Sequence, residues 1–142
     1  MTLKNVVDII EYVSLQQPNV RQFKEGSVYT INSNPSNKYC NVVLTQRNHT
    51  ETEQTYIFNF VVFYVDRLTD DLENNKLEAQ SAGISTLSNI FRTLEQEYDF
   101  EIYDKIYTPF EEKFADSCAG AYANVRIEVY KDLVCPELYE ED

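Results

Sequence analysis

Apolar residues recur along this chain with two different periods. Leu3, Val6, Val7, Ile10 and Val13 fall at helical spacing, so an amphipathic helix is expected over roughly residues 3–15. Thr2 is placed to cap its start, and Pro18 ends it. Residues 18–38 are polar and turn-rich, with Gly26 and Asn34-Pro35, and predict an extended loop with one short strand at Ser27 to Ile31. Two strands follow, Tyr39 to Arg47 and Gln54 to Val65. The hydrophilic tip 48–53 between them makes the pair a hairpin. In the second strand Tyr56, Phe58, Phe60, Val62 and Tyr64 share one face. Ile57, Val61, Phe63 and Val65 share the other, interrupted by Asn59. An antiparallel strand in a two-layer domain should keep one wet face. Two apolar faces mean that something covers the second one, from this chain or from another.

The period then returns to the helical one. Leu77, Ile84, Leu87, Phe91, Leu94 and Tyr98 repeat about every 3.5 residues, with Ile90 beside them, and predict a long helix over roughly 71–97. Asp70 with Glu73 three residues later spells a capping box. Gly83 in the middle lowers helix stability by about 1 kcal/mol against Ala, and a close helix-to-sheet approach would explain it. The last third reads as strands. Phe100, Ile102, Asp104 and Ile106 alternate with Glu101, Tyr103, Lys105 and Tyr107. Pro109 then implies an edge or a bend. Asp116 to Gly120 reads as a turn or bulge, and Ala121, Ala123, Val125, Ile127 and Val129 alternate with polar or aromatic residues. Residues 131–142 are an acidic tail. The order helix, strands, long helix, strands predicts one α+β domain over 1–142, with an antiparallel sheet of about five strands packed by two helices.

Composition narrows the functions open to such a domain. Acidic residues number 24 against 12 basic, a net charge of −12. Gripping a phosphate backbone or an anionic membrane relies on clustered Lys and Arg, and no such cluster is present in the sequence. The N-terminus lacks a signal-peptide pattern, and the longest apolar run, Phe60 to Val65, is far too short for a membrane span. Cys40, Cys118 and Cys135 are widely spaced with no CxxC, and are read as reduced thiols, a Cys118–Cys135 disulfide being the less favoured pairing.

Each constellation with a chemical use has a plainer reading beside it. His49 is the only histidine and lies in the hairpin tip, a poor scaffold for a catalytic base and a natural place for a solvated loop residue. Asp66, Asp70, Asp71 and Glu73 cluster as magnesium ligands do, but acids also gather at helix starts to satisfy caps and the dipole. Gly26, Gly83 and Gly120 are isolated, so no phosphate-cradling loop is spelled. No catalytic residue, cofactor site or metal site is assigned, and the expectation is a non-enzyme. Tyrosine is abundant, with 11 residues. Tyr103, Tyr107, Tyr122 and Tyr130 fall at outward strand positions, where rings suit either an interface or the protein's own helix. These four, with Asn59 and His49, are the inter-subunit interface candidates.

Several strings carry a resemblance to a known family. Phe60-Val61-Val62-Phe63-Tyr64-Val65-Asp66-Arg67-Leu68-Thr69 runs a strand into an Asp-rich entry, and Asn75-Lys76-Leu77-Glu78-Ala79-Gln80-Ser81 opens the long helix. Phe110-Glu111-Glu112-Lys113-Phe114-Ala115-Asp116 precedes Ala119-Gly120-Ala121-Tyr122-Ala123-Asn124-Val125. Over about residues 56–130 this pattern resembles the tail-terminator and head-to-tail connector proteins of tailed bacteriophages, as in phages of Bacteroides-like hosts. The resemblance implies a structural virion protein, assembled in the host cytoplasm into a six- or twelve-fold homo-oligomeric ring at the neck or tail. Its partners would be portal, connector or tail proteins, with packaged DNA passing non-specifically through a negative lumen and no membrane involved. The 18–38 loop, the 48–53 tip and the acidic tail depart from the pattern and would serve as docking arms. Two other readings stand beside it. One is a phage-encoded cytosolic adaptor or inhibitor that binds a host protein, and the other a metal-dependent hydrolase using Asp66, Asp70 and Asp71.

Overall fold

The computed structural model describes residues 1–27, 40–68, 75–113 and 117–131. The order is α1 (Leu3–Leu15), β1 (Gln22–Glu25), β2 (Asn41–Gln46), β3 (Thr50–Glu51), β4 (Thr55–Arg67), α2 (Lys76–Tyr98), β5 (Glu101–Lys113) and β6 (Ser117–Tyr130). The class is α+β. The six strands form one mostly antiparallel sheet in the order β1-β2-β4-β6-β5, and β3 pairs with the start of β4.

Local chemistry sets the helix bounds. The Thr2 hydroxyl accepts from the Asn5 N–H while the Asn5 side chain accepts from the Thr2 N–H, a reciprocal capping box at the start of α1. Val6, Ile10 and Val13 form its buried stripe. The end of α2 is set by Asp99, which takes the left-handed conformation at φ 58° and donates its N–H to the Leu94 carbonyl. The described α2 begins at Lys76, and the Asp70/Glu73 capping pattern lies outside the described residues.

Both helices lie on one face of the sheet. Their apolar stripes close over Val42 and Leu44 of β2, Phe58, Phe60 and Val62 of β4, and Val125 and Ile127 of β6. On α2 the buried residues are Ala79, Gly83, Thr86, Leu87, Ile90, Phe91 and Leu94. Leu77 and Ile84, expected on this stripe, are 75% and 37% exposed. A repeat of 3.5 drifts by about 20° per heptad on a 3.6-residue helix, which carries both residues off the contact line. Small residues take their place, and α2 descends onto β6. A Cβ on Gly83 would lie 3.0 Å from the Ala121 nitrogen.

A polar link crosses this core. The Tyr64 hydroxyl donates to Cys40 Sγ at 2.9 Å and accepts from Asn19 Nδ2 at 3.1 Å, and Asn19 also bonds Thr86 of α2. It fastens the segment after α1 to β4 and α2 with its hydroxyl satisfied. Cys40 is a free thiol, Cys118 is buried, and Cys135 lies outside the described residues.

The strands depart from expectation in three places. A strand was expected at Ser27 to Ile31, but residues 28–31 lie outside the described residues, and β1 forms earlier, at Gln22–Glu25. It pairs parallel to β2, Phe23 opposite Val42. β6 begins at Ser117, so the expected turn near Gly120 is strand. In β5 the pairing with β6 slips between Tyr103 and Ile106, and Asp104 within the slip sits at φ 61°. This bulge reverses the alternation. Tyr107 therefore joins the helix-side core, its ring 6.3 Å from that of Phe91, while Ile106 turns outward at 66% exposure. The outward placement expected of Tyr107 is corrected by that one inserted step. Pro109 lies on β5, which among the described strands has a neighbour on one side only, so the expected edge is present.

Candidate functional site

The face of the sheet away from the helices is the candidate site. Its composition follows from register, because residues directly opposite in an antiparallel pair share a face. Reading across β2, β4, β6 and β5, one row is Val43, Phe63, Tyr122 and Thr108. The next is Thr45, Val61, Asn124 and Ile106. The third is Asn59, Arg126 and Tyr103, and the fourth runs Ile57, Glu128 and Glu101. The face thus changes along the strands from aromatic, through amide and guanidinium, to carboxylate.

The aromatic end is a three-ring cluster. Phe63 lies 5.2 Å from Tyr122 and 6.1 Å from Phe110, centroid to centroid. Beneath it Val43, Val65 and Cys118 are fully buried. The second apolar face of β4 is therefore covered at this end, with Phe63 and Phe110 half-buried against it. Asn41 beside them is also fully buried, and neither its amide nitrogen nor its amide oxygen has a partner among the described residues.

The middle is a groove of about 380 Å³ lined by Arg47, Asn48, Asn59, Asp104, Asn124 and Arg126. A second hollow shares Arg47 and Asn124 with it and reaches Phe63 and Tyr122, so the two adjoin. The Arg126 guanidinium lies 3.5 Å from Asp104 and 5.4 Å above the Tyr103 ring. Arg47 has no acidic side chain within ion-pair distance among the described residues. Its backbone N–H donates to the Asn59 carbonyl and fixes it at the groove wall. Asn59 in turn donates from its side chain to the Asn48 carbonyl at 2.6 Å.

At the far end the Tyr103 hydroxyl lies 2.8 Å from a Glu101 oxygen and 3.1 Å from a Glu128 oxygen. Hydrogen bonding to Glu101, then to Glu128, pushes its pKa up to about 12. Glu128 also accepts from the Thr55 hydroxyl at 2.7 Å.

Of the six interface candidates, this face holds Tyr103, Tyr122, Tyr130 and Asn59. Tyr130 is 69% exposed at its rim. Tyr107 is on the other face. His49 is not the solvated tip residue expected from sequence. Its ring packs edge-on against Phe58 and Phe60, with centroids 5.2 and 5.6 Å away, and Nδ1 accepts the Asn59 N–H. Nε2 therefore carries the proton and faces Gln46 Oε1. Desolvation holds this imidazole below its usual pKa of 6.5. Nothing in the residue pattern signals that Arg47 and Arg126 converge. They lie 79 positions apart, and only the β4–β6 register, with Asn59 opposite Arg126, joins them.

Among the described residues there is no group of three or more metal-ligating side chains and no helix long and apolar enough to cross a membrane. Asp66 is the penultimate residue of β4, while Asp70, Asp71 and Glu73 lie outside the described residues. No protein-family model and no curated protein matches the chain.

Proposed function

We propose that the chain is a structural subunit of a bacteriophage virion, forming a homo-oligomeric ring of the connector or tail-terminator kind at the head-to-tail junction or tail. The half-covered sheet face carries this reading. It exposes Tyr103, Ile106 and Tyr130 at 40%, 66% and 69%, beside half-buried Phe63 and Tyr122. Tyrosine with isoleucine around a polar groove is the composition of a surface that meets protein. A face used only against water has no need of those side chains.

A ring repeats one heterologous contact, so a subunit must present two different surfaces. The open face supplies one. Leu77 and Ile84 on α2, with Tyr12 and Leu15 on α1, supply apolar groups on the helical side. The reading assigns the subunit no catalysis, and it places packaged DNA near a surface whose net charge of −12 discourages sticking.

The test is composition of purified particles. Quantitative mass spectrometry should find this chain in whole virions, at a copy number that is a multiple of the ring symmetry, alongside portal and tail proteins. Absence from particles would sink the reading. The acidity favours one competitor, a phage-encoded cytosolic inhibitor that presents carboxylates to a host protein. Affinity capture returning a host DNA-binding protein, with no virion component, would support that instead.

A further inference from the structure

We infer that the groove between Arg47 and Arg126 is a carboxylate receptor, and that it takes the acidic segment 132–142 of a second copy of this chain. The groove brings together two of the chain's five arginines on a molecule of net charge −12. Among the described residues one carboxylate, Asp104, lines it, and that one is held by Arg126. No carboxylate among the described residues opposes the charge of Arg47. Amides of Asn59 and Asn124 flank the two guanidiniums, and amides can donate to a carboxylate and accept from a backbone N–H. A planar guanidinium fork beside amide groups suits a peptide carboxylate, because it can bond both oxygens at once.

The segment 132–142 carries Asp132, Glu137, Glu140, Glu141 and Asp142. It also carries Leu138 and Tyr139, apolar groups for the adjoining hollow lined by Phe63 and Tyr122. The last described residue points to a donor in trans. Lys131 continues the line of β6, its N–H donating to Gln54 at 2.9 Å. Its ammonium is drawn 2.8 Å from Glu51 and lies over the Tyr56 ring, on the helix side of the sheet. β6 runs from Asn124 and Arg126 in the groove wall on to Tyr130 and Lys131, so the described chain leaves its own groove at this end. Eleven extended residues reach about 36 Å, enough to cross to a neighbour.

The choice of donor rests on the assembly reading, but its test does not. A fluorescent peptide of residues 132–142, with Cys135→Ser, would be titrated into the full-length protein by anisotropy. Binding should weaken as salt rises. Arg47→Glu should weaken it about tenfold or more, the size of one lost charge-assisted contact. Arg47 is exposed and makes no described side-chain bond, and circular dichroism would check the variant's fold. A peptide with all five acids changed to their amides tests the same point without touching the protein, and should also bind at least tenfold more weakly. No binding by the wild-type peptide, equal binding by the amide peptide, or wild-type binding by Arg47→Glu would each overturn the inference. Peptide binding by a chain absent from particles would keep this inference and remove the virion reading. Presence in particles without peptide binding would do the reverse.

Discussion

Gly83 of α2 rests on Ala121 of β6. A Cβ at position 83 would stand 3.0 Å from the Ala121 nitrogen and 3.1 Å from Tyr64 Cδ1. The first neighbour is backbone in a strand paired on both sides, and the second ring is 1% exposed. Neither can give way. Gly83→Ala would gain about 1 kcal/mol of helix propensity and lose more to overpacking, which runs to about 1–3 kcal/mol. The expected result is a net loss of stability in urea unfolding, larger for Gly83→Val. Gly120→Ala should fail more severely, because its Cβ would overlap the Tyr64 carbonyl oxygen across the β4–β6 ladder.

Asp99 closes α2 in a left-handed conformation that L-residues disfavour, and it adds negative charge where the helix dipole is already negative. Asp99→Gly removes both penalties. It should stabilise the protein by up to about 1 kcal/mol, raising Tm by about 2–4 °C. Calorimetry at neutral pH checks it.

His49 can accept the Asn59 N–H only while Nδ1 is unprotonated. Its pKa is lowered by burial, so below pH 6.5 the unfolded chain binds the proton more readily than the folded one. The His49 contribution to stability is therefore whole above pH 6.5 and lost as pH falls below it. An NMR titration should find His49 titrating below 6.5, with the Asn59 amide shifting along the same curve. An Asn59 amide indifferent to His49 protonation would contradict the bond.

Burial, only partly offset by the Tyr64 hydrogen bond, pushes the Cys40 thiol up to about 11 from 9.0. The unfolded chain then loses this proton first. Stability should be complete below pH 9 and fall between about pH 9 and 11. Urea midpoints across that range should flatten in Cys40→Ala. The wild-type thiol should also react slowly with iodoacetamide at pH 8.

Much of this architecture is legible in the residues. The α1 bounds, its Thr2 cap, the β2–β4 hairpin and the edge position around Pro109 follow from spacing and side-chain chemistry that act within a few residues. The close approach at Gly83 is legible too, because a glycine inside a helix asks for a steric reason. What is not legible depends on pairing between distant segments. β1 has no alternating pattern, because its four residues are placed by their parallel partner β2. The β5 bulge depends on how Tyr103 and Ile106 meet β6, and an uninterrupted alternation over Phe100 to Tyr107 conceals it. His49 appears solvated when its neighbours are taken to be the tip residues, while in space they are Phe58 and Phe60. The receptor groove is hidden for the same reason, since Arg47 and Arg126 become neighbours only through β4.

The two borders of the sheet have a consequence for how copies can accumulate. β1 offers four residues, and β5 offers a strand broken by a bulge at Asp104 and short of one N–H at Pro109. Neither is a continuous template on which another strand could register. Among the described strands, cross-β growth, strand upon strand into a fibre, is thereby interrupted at both ends. Copies that meet are left to meet through side chains, and contacts of that kind can close on themselves and stop.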